Sequence, residues 1–202
     1  MSDNVFTALK FSSAEERQRE VEDFLRNHGD EPLYVFAYAS LMWSPCFSYT
    51  ESFKAVVKGY RRNFCIASII HRGTKENPGI VMGLVEGGEC EGILFRLDPA
   101  TLVADLETLW KREMPSGAYI PTMVKAVCPR EIPALAFVAS PNHPQFICSM
   151  EEAKIIECLR TCQGQSGSNK KYFEETLAAM RRLDIHDNDL ESLAMQLQKL
   201  CP

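Results

Sequence analysis

Strand-like patterning fills the middle of this chain and helix-like patterning its two ends, and this segregation constrains the fold more than any other feature. A doubly wound parallel sheet would alternate strands with helices. Strands grouped together and flanked by helices argue instead for an α+β fold. The most informative run is residues 33–38, LYVFAY, a continuous apolar and aromatic stretch of the kind a buried strand carries. It breaks over residues 39–43, ASLMW, ahead of Pro45. Further strands are expected at 62–70, 80–85, 92–97, 122–128 and 134–139. Glu86, Gly87 and Gly88, lying between the runs 80–85 and 92–97, read as a hairpin turn.

Helix boundaries carry their own signals. Ser13 and Glu16 form a capping box, and the helix they open should end near Asn27, His28 and Gly29. Val21, Phe24 and Leu25 give that helix a thin apolar face, so residues 1–30 are expected to be an N-terminal helical extension on a main domain, 31–202. A second helix is expected from Asp98 as cap and Pro99 at the first position, stopping at Met114 before Pro115. Ser149 with Glu152, Ser168 or Asn169, and Asn188 with Glu191 open three more, making the C-terminal region helical.

The 202 residues, 46% hydrophobic and 24% charged, suit one domain with a sizeable core. A net charge of −5 and the lack of a basic stripe argue against nucleic acid as a partner. Neither a signal-peptide core nor a membrane-spanning apolar run is evident, so no membrane association and a cytoplasmic location are expected. Eight cysteines, at 46, 65, 90, 128, 148, 158, 162 and 201, include no CxxC pair and have no histidine at zinc-site spacing. They are expected to be reduced thiols, mostly small buried groups, with no metal.

Chemistry-bearing candidates are few. Leu102, Leu106, Leu109 and Trp110 form the apolar stripe of the second helix, and Glu113 continues it at the C-terminal end. Burial and the helix dipole would both raise that carboxyl's pKa toward the range where a general base works near neutrality. An ion pair with Lys111, Arg112 or a distant arginine is the plainer reading of the same pattern. Small residues just beyond the first strand let backbone N–H groups approach an anion or a developing oxyanion, or simply allow a tight strand end. His71 could serve a thiol nucleophile, although no cysteine is marked as activated. Arg61 and Arg62 could pair with Glu113 or a substrate carboxylate, or lie at a rim.

In order, the segments 35–43 (VFAYASLMW), 59–64 (GYRRNF), 71–74 (HRGT), Pro78 and Gly79, Gly87 and Gly88 with Cys90 and Gly92, 109–119 (LWKREMPSGAY) and 169–173 (NKKYF) resemble the ChaC-type γ-glutamylcyclotransferase family. The resemblance runs from about residue 32 to the C-terminus and looks most like the bacterial branch, where an LWKREM stretch is familiar. It implies a small mixed β-barrel surrounded by helices. It also implies a lyase that cuts glutathione into 5-oxoproline and cysteinyl-glycine, needing no cofactor. Glu113 would be the general base. The substrate would be held by the segment Val35, Phe36, Ala37, Tyr38, Ala39, Ser40 and Leu41, with Tyr119 and Tyr172.

Where the family usually reads FGYGSL, this chain reads FAYASL. Alanine would cost roughly 1 kcal/mol or more at a positive φ and is tolerated in an ordinary β conformation. Three alternatives remain open at this level: a cyclotransferase for other γ-glutamyl amines, a catalytically impaired γ-glutamyl-binding protein, and a cysteine hydrolase using His71.

Overall fold

A computed structural model describes Phe6 and residues 9–200 of the chain; Cys201 lies outside them. β1 (Tyr34–Ala37) forms inside the apolar run, with Val35, Phe36 and Ala37 essentially excluded from solvent. It pairs antiparallel with β3 (Gly79–Leu97) and meets β5 (Arg130–Ala139) in parallel through Val35 and Leu135. β2 (Tyr49–Ser68) flanks β3, and β4 (Tyr119–Cys128) links β2 to β5. The strands close into a barrel in the order β1-β3-β2-β4-β5. Closure pairs the edges that an open sheet would leave exposed.

β5 shows why its sequence is apolar without alternation. Ala134, Leu135, Ala136, Phe137, Val138 and Ala139 are all buried. The barrel interior covers one face of the strand, and α2 (Leu102–Glu113) contributes to covering the other, its Trp110 ring meeting Phe137 edge-on at 5.6 Å.

The short hairpin expected at Glu86, Gly87 and Gly88 does not form. β3 runs straight through these residues, with Tyr60 opposite Glu86 and Lys58 opposite Glu89. One extra β3 residue is accommodated there as a bulge, with φ of 92° at Gly87 and 76° at Gly88. Positive-φ glycines serve a turn and a bulge equally well, so only the pairing partner distinguishes the two. The bulge divides a long β2–β3 ribbon into halves with different neighbours. Residues 93–96 pair with β1 and Val56 and Val57 with β4, whereas Leu84 meets Val138 of β5.

α1 (Ala14–His28) carries the expected capping box, with Glu16 N–H donating to Ser13 Oγ at 3.1 Å and Ser13 N–H to Glu16 Oε2 at 2.7 Å. It ends at Gly29, φ 75°, and packs on α2 with the Phe24 and Trp110 rings 5.3 Å apart. α2 starts later than expected. Asp98 caps the preceding turn through Ala100 N–H at 2.9 Å, and Thr101 occupies the helix cap. α3 (Glu152–Thr161) is preceded by Glu151 at the cap position in place of Ser149.

After the small ribbon of β6 (Gln163–Gly164) and β7 (Gly167–Ser168), Ser168 caps α4 (Asn169–Arg182) by accepting from Lys171 N–H at 3.1 Å. Asp187 caps α5 (Asn188–Leu200) through Leu190 N–H at 3.2 Å. No helix of the described residues is long and apolar enough to cross a membrane. The seven described cysteines are all free, and Cys65, Cys90, Cys128 and Cys162 are buried.

Candidate active site

β1 stops at Ala37, and the chain turns at once into a 3-10 turn, Ser40–Met42. Ala37 sits in the β1 ladder opposite Ile93, and Ala39 has φ −143°; neither is among the positive-φ positions. Ala37 has the extended backbone of a paired strand, and neither alanine occupies the positive-φ region that would call for glycine.

Tyr38, Ala39, Ser40 and Leu41 line a cavity of about 370 Å³. Glu113, Tyr119 and Tyr172 line the same cavity. Val35, Phe36 and Ala37 do not; their side chains belong to the barrel core. The reason is topological, because these three are buried on the two faces of the strand before the chain reaches the cavity.

Glu113 is the last residue of α2, with a side chain only 14% exposed. Burial raises its pKa above the usual carboxylate range, and the Arg112 guanidinium only partly opposes that. Arg112 Nε lies 3.2 Å from Glu113 Oε1. The same guanidinium donates to Ser40 Oγ at 2.9 Å and to the Ser44 carbonyl. The ion pair and the buried carboxylate thus coexist, and one arginine ties the carboxylate to the loop it faces.

Arg62 takes neither of the roles considered for it. Its side chain is 3% exposed and clamps the structure, donating to Tyr38 O, to Glu91 O at 2.6 Å and to Asp187 Oδ2 at 3.0 Å. Arg61 donates to Glu86 O at the bulge.

Met82 of β3 organises the tyrosines. Tyr119 Oη donates to the Met82 carbonyl at 2.9 Å, and the Met82 N–H donates to Tyr172 Oη at 3.1 Å. Tyr172 therefore keeps its own hydroxyl proton for another acceptor. One turn earlier on α4, Asn169 exchanges two hydrogen bonds with Ile80, at 2.6 and 2.8 Å, fixing the helix against the β3 strand. Tyr38 Oη donates to Phe137 O at 2.7 Å. Burial pushes all three tyrosines well above their ordinary pKa, with Glu113 adding to the shift in each. They are neutral hydrogen-bonding groups at any ordinary pH.

The cavity is also lined by His71, with Nδ1 2.8 Å from Ser166 Oγ, and by buried Gln145, which accepts from Ser116 Oγ and donates to Ala67 O at 2.7 Å. Burial, aided by Arg112 and Arg72, lowers the His71 pKa. Among the described residues no cysteine lines the cavity, and Cys65, on β2, is pushed up to about 12 by burial. Arg112 as a bridge, Gln145 and Phe11 are site features that the residue pattern did not single out. Arg112 is adjacent to Glu113 and had a signal in that adjacency. Gln145 and Phe11 sit in irregular segments, where no periodicity points inward.

The model of the family described as ChaC-like protein matches residues 33–200. The chain belongs to the ChaC-like family. Within reach of that family, it is 34% identical over 191 residues to the glutathione-specific γ-glutamylcyclotransferase of Escherichia coli (strain K12), covering 93% of this chain and 83% of that protein. To the glutathione-specific γ-glutamylcyclotransferase 1 of Homo sapiens it is 35% identical over 157 residues, covering 74% and 70%. These identities are alike and do not separate a bacterial from an animal branch. The fold matches the crystal structure of a glutathione-specific γ-glutamyl cyclotransferase from yeast with a TM-score of 0.77 at 19% identity, covering 84% of this chain and 97% of that one.

Proposed function

We propose that this chain is a glutathione-specific γ-glutamylcyclotransferase in which Glu113 is the general base. The observation that carries the reading is that Glu113 supplies the one carboxylate among the described residues lining the cavity, and burial has raised its pKa. The family and the naming of its E. coli and human relatives as glutathione-specific support the substrate.

The substrate brings its own nucleophile. Glu113 takes a proton from the α-ammonium of the γ-glutamyl group, and the freed amine attacks the γ-carbonyl carbon. A five-membered lactam closes as the attacking nitrogen sheds a second proton, the C–N bond to cysteinyl-glycine breaks, and the two protons end on the leaving amine, which departs as an ammonium. The products are 5-oxoproline and cysteinyl-glycine. A raised carboxyl pKa narrows the gap to the ammonium it must deprotonate. Holding the chain folded makes use of the large advantage of an intramolecular reaction.

The amides of Ser40 and Leu41 open the turn and have no acceptor within it, whereas Met42 N–H donates to Ala39 O at 2.9 Å, and both residues line the cavity that Glu113 lines. They are the donors for the tetrahedral oxyanion, as an oxyanion hole requires. The Tyr172 hydroxyl adds a further donor. A cysteine hydrolase is disfavoured, since no cysteine among the described residues lines the cavity and burial raises the pKa of Cys46, the thiol beside Arg112.

The test is incubation of the purified protein with reduced glutathione, reading 5-oxoproline and cysteinyl-glycine by mass spectrometry. Both products should form, and Glu113→Gln should abolish them. Normal turnover in that variant would remove Glu113 from the mechanism, and 5-oxoproline from other γ-glutamyl amines alone would move the substrate.

A further inference from the structure

The cavity has a wall from outside the span that the family model matches. Phe11 lines it, from the segment just before α1, while the match begins at residue 33. That segment is anchored. Ser12 N–H donates to Pro115 O at 2.9 Å, and Ser12 Oγ to Met114 O at 3.2 Å. Its acceptors are the two residues that directly follow Glu113. Arg17 of α1 donates back to Ser12 O, and α1 is itself packed on α2. The Phe11 ring is thus tied at short range to the helix end that carries the carboxylate.

Exposure orders the cavity from floor to mouth. Tyr38 at 7%, Tyr172 at 4% and Met82 at 2% form its buried floor, whereas Phe11 is 41% exposed. An aromatic ring held partly in water beside an enclosed polar site leaves apolar area for a ligand to cover.

We propose that Phe11 contacts the leaving-group half of the substrate and so helps select its length and character. This rests on the cyclotransferase reading above. With the γ-glutamyl group folded on the floor beside Glu113, the cysteinyl-glycine half extends to the mouth, where the ring covers its apolar part. The N-terminal extension then acts as part of the substrate site and not only as a brace for α2.

The test compares reduced glutathione with γ-glutamyl methylamide, which shares the floor-binding group and has a minimal leaving group. Phe11→Ala should raise KM for glutathione by about fivefold, the scale of losing part of an aromatic contact, with a distinctly smaller rise for the methylamide. Phe11→Leu should recover much of the glutathione affinity. Equal KM values in Phe11→Ala and the parent, or a parallel rise for both substrates, would overturn the assignment while leaving the cyclotransferase reading intact.

Calorimetric titration of glutathione into Glu113→Gln, with and without Phe11→Ala, reads the contact without turnover. Weaker binding in the double variant supports the contact even if the parent proves inactive on glutathione. Equal binding, or no binding to either, overturns it.

Discussion

Two neighbouring stretches, one strand and its exit, are both buried except at Ser40 and are held by opposite physics. Val35, Phe36 and Ala37 lie in the strand, where β3 pairs with their backbone and their side chains join the hydrophobic core. Tyr38, Ala39, Ser40 and Leu41 lie at the cavity, where hydroxyls, a guanidinium and a carboxylate are enclosed together. The first stretch is stable because burial and hydrogen bonding agree. The second keeps a carboxylate where burial works against its charge. Depth alone does not separate core from site; whether the enclosed groups would prefer another environment does.

Glu113→Gln breaks the contrast most sharply. Loss of the base should cost on the order of 100- to 10,000-fold in kcat. Stability should move the other way. Because the folded carboxyl has a raised pKa, the folded state holds a proton that the unfolded chain has already released across the window between the ordinary and the raised value. The stabilisation is complete below the ordinary pKa and is lost as pH climbs through the folded one. The parent protein should therefore lose stability over that window while its activity rises, and Glu113→Gln should lack this loss and melt higher at neutral pH. Thermal unfolding across pH checks both; a variant that melts lower at every pH would show that the Arg112 pair outweighs burial.

Leu135→Ala, in the fully buried core next to β1, should do the reverse. A cost of about 2–5 kcal/mol in denaturant unfolding is expected, with KM for glutathione retained at temperatures where the variant is folded. Tyr119→Phe lies between the two regions. Removing the hydroxyl that serves the Met82 carbonyl should cost about 1 kcal/mol. If the hydroxyl also orders the site, the rate falls by more than the change in folded fraction explains. The smallest effect is expected from Ala37→Gly, about 0.5–1 kcal/mol by chemical denaturation, since this strand position gains nothing from glycine's freedom. A stabilised variant would mean that Ala37 is strained.

Local chemistry decided much of this protein in advance. The capping box at Ser13 and Glu16, the stop at Met114 before Pro115, the buried strand at β1 and the carboxylate continuing the α2 stripe are all properties of near neighbours along the chain. Short-range sterics and periodicity are readable because they need no partner from elsewhere. The family motifs likewise brought Glu113, Tyr119 and Tyr172 forward without showing what they touch.

Tertiary structure alone decided that the glycines at 87 and 88 make a bulge within one long strand, because β2 continues past them on the other side. Only the assembled barrel divides residues 35–41 between core and cavity, joins Ser40 to Glu113 through Arg112, and sets two tyrosines on opposite groups of Met82. Each of these is a meeting of residues distant in sequence, fixed by closure and packing. A linear pattern records which face a residue presents and leaves open what it will find there.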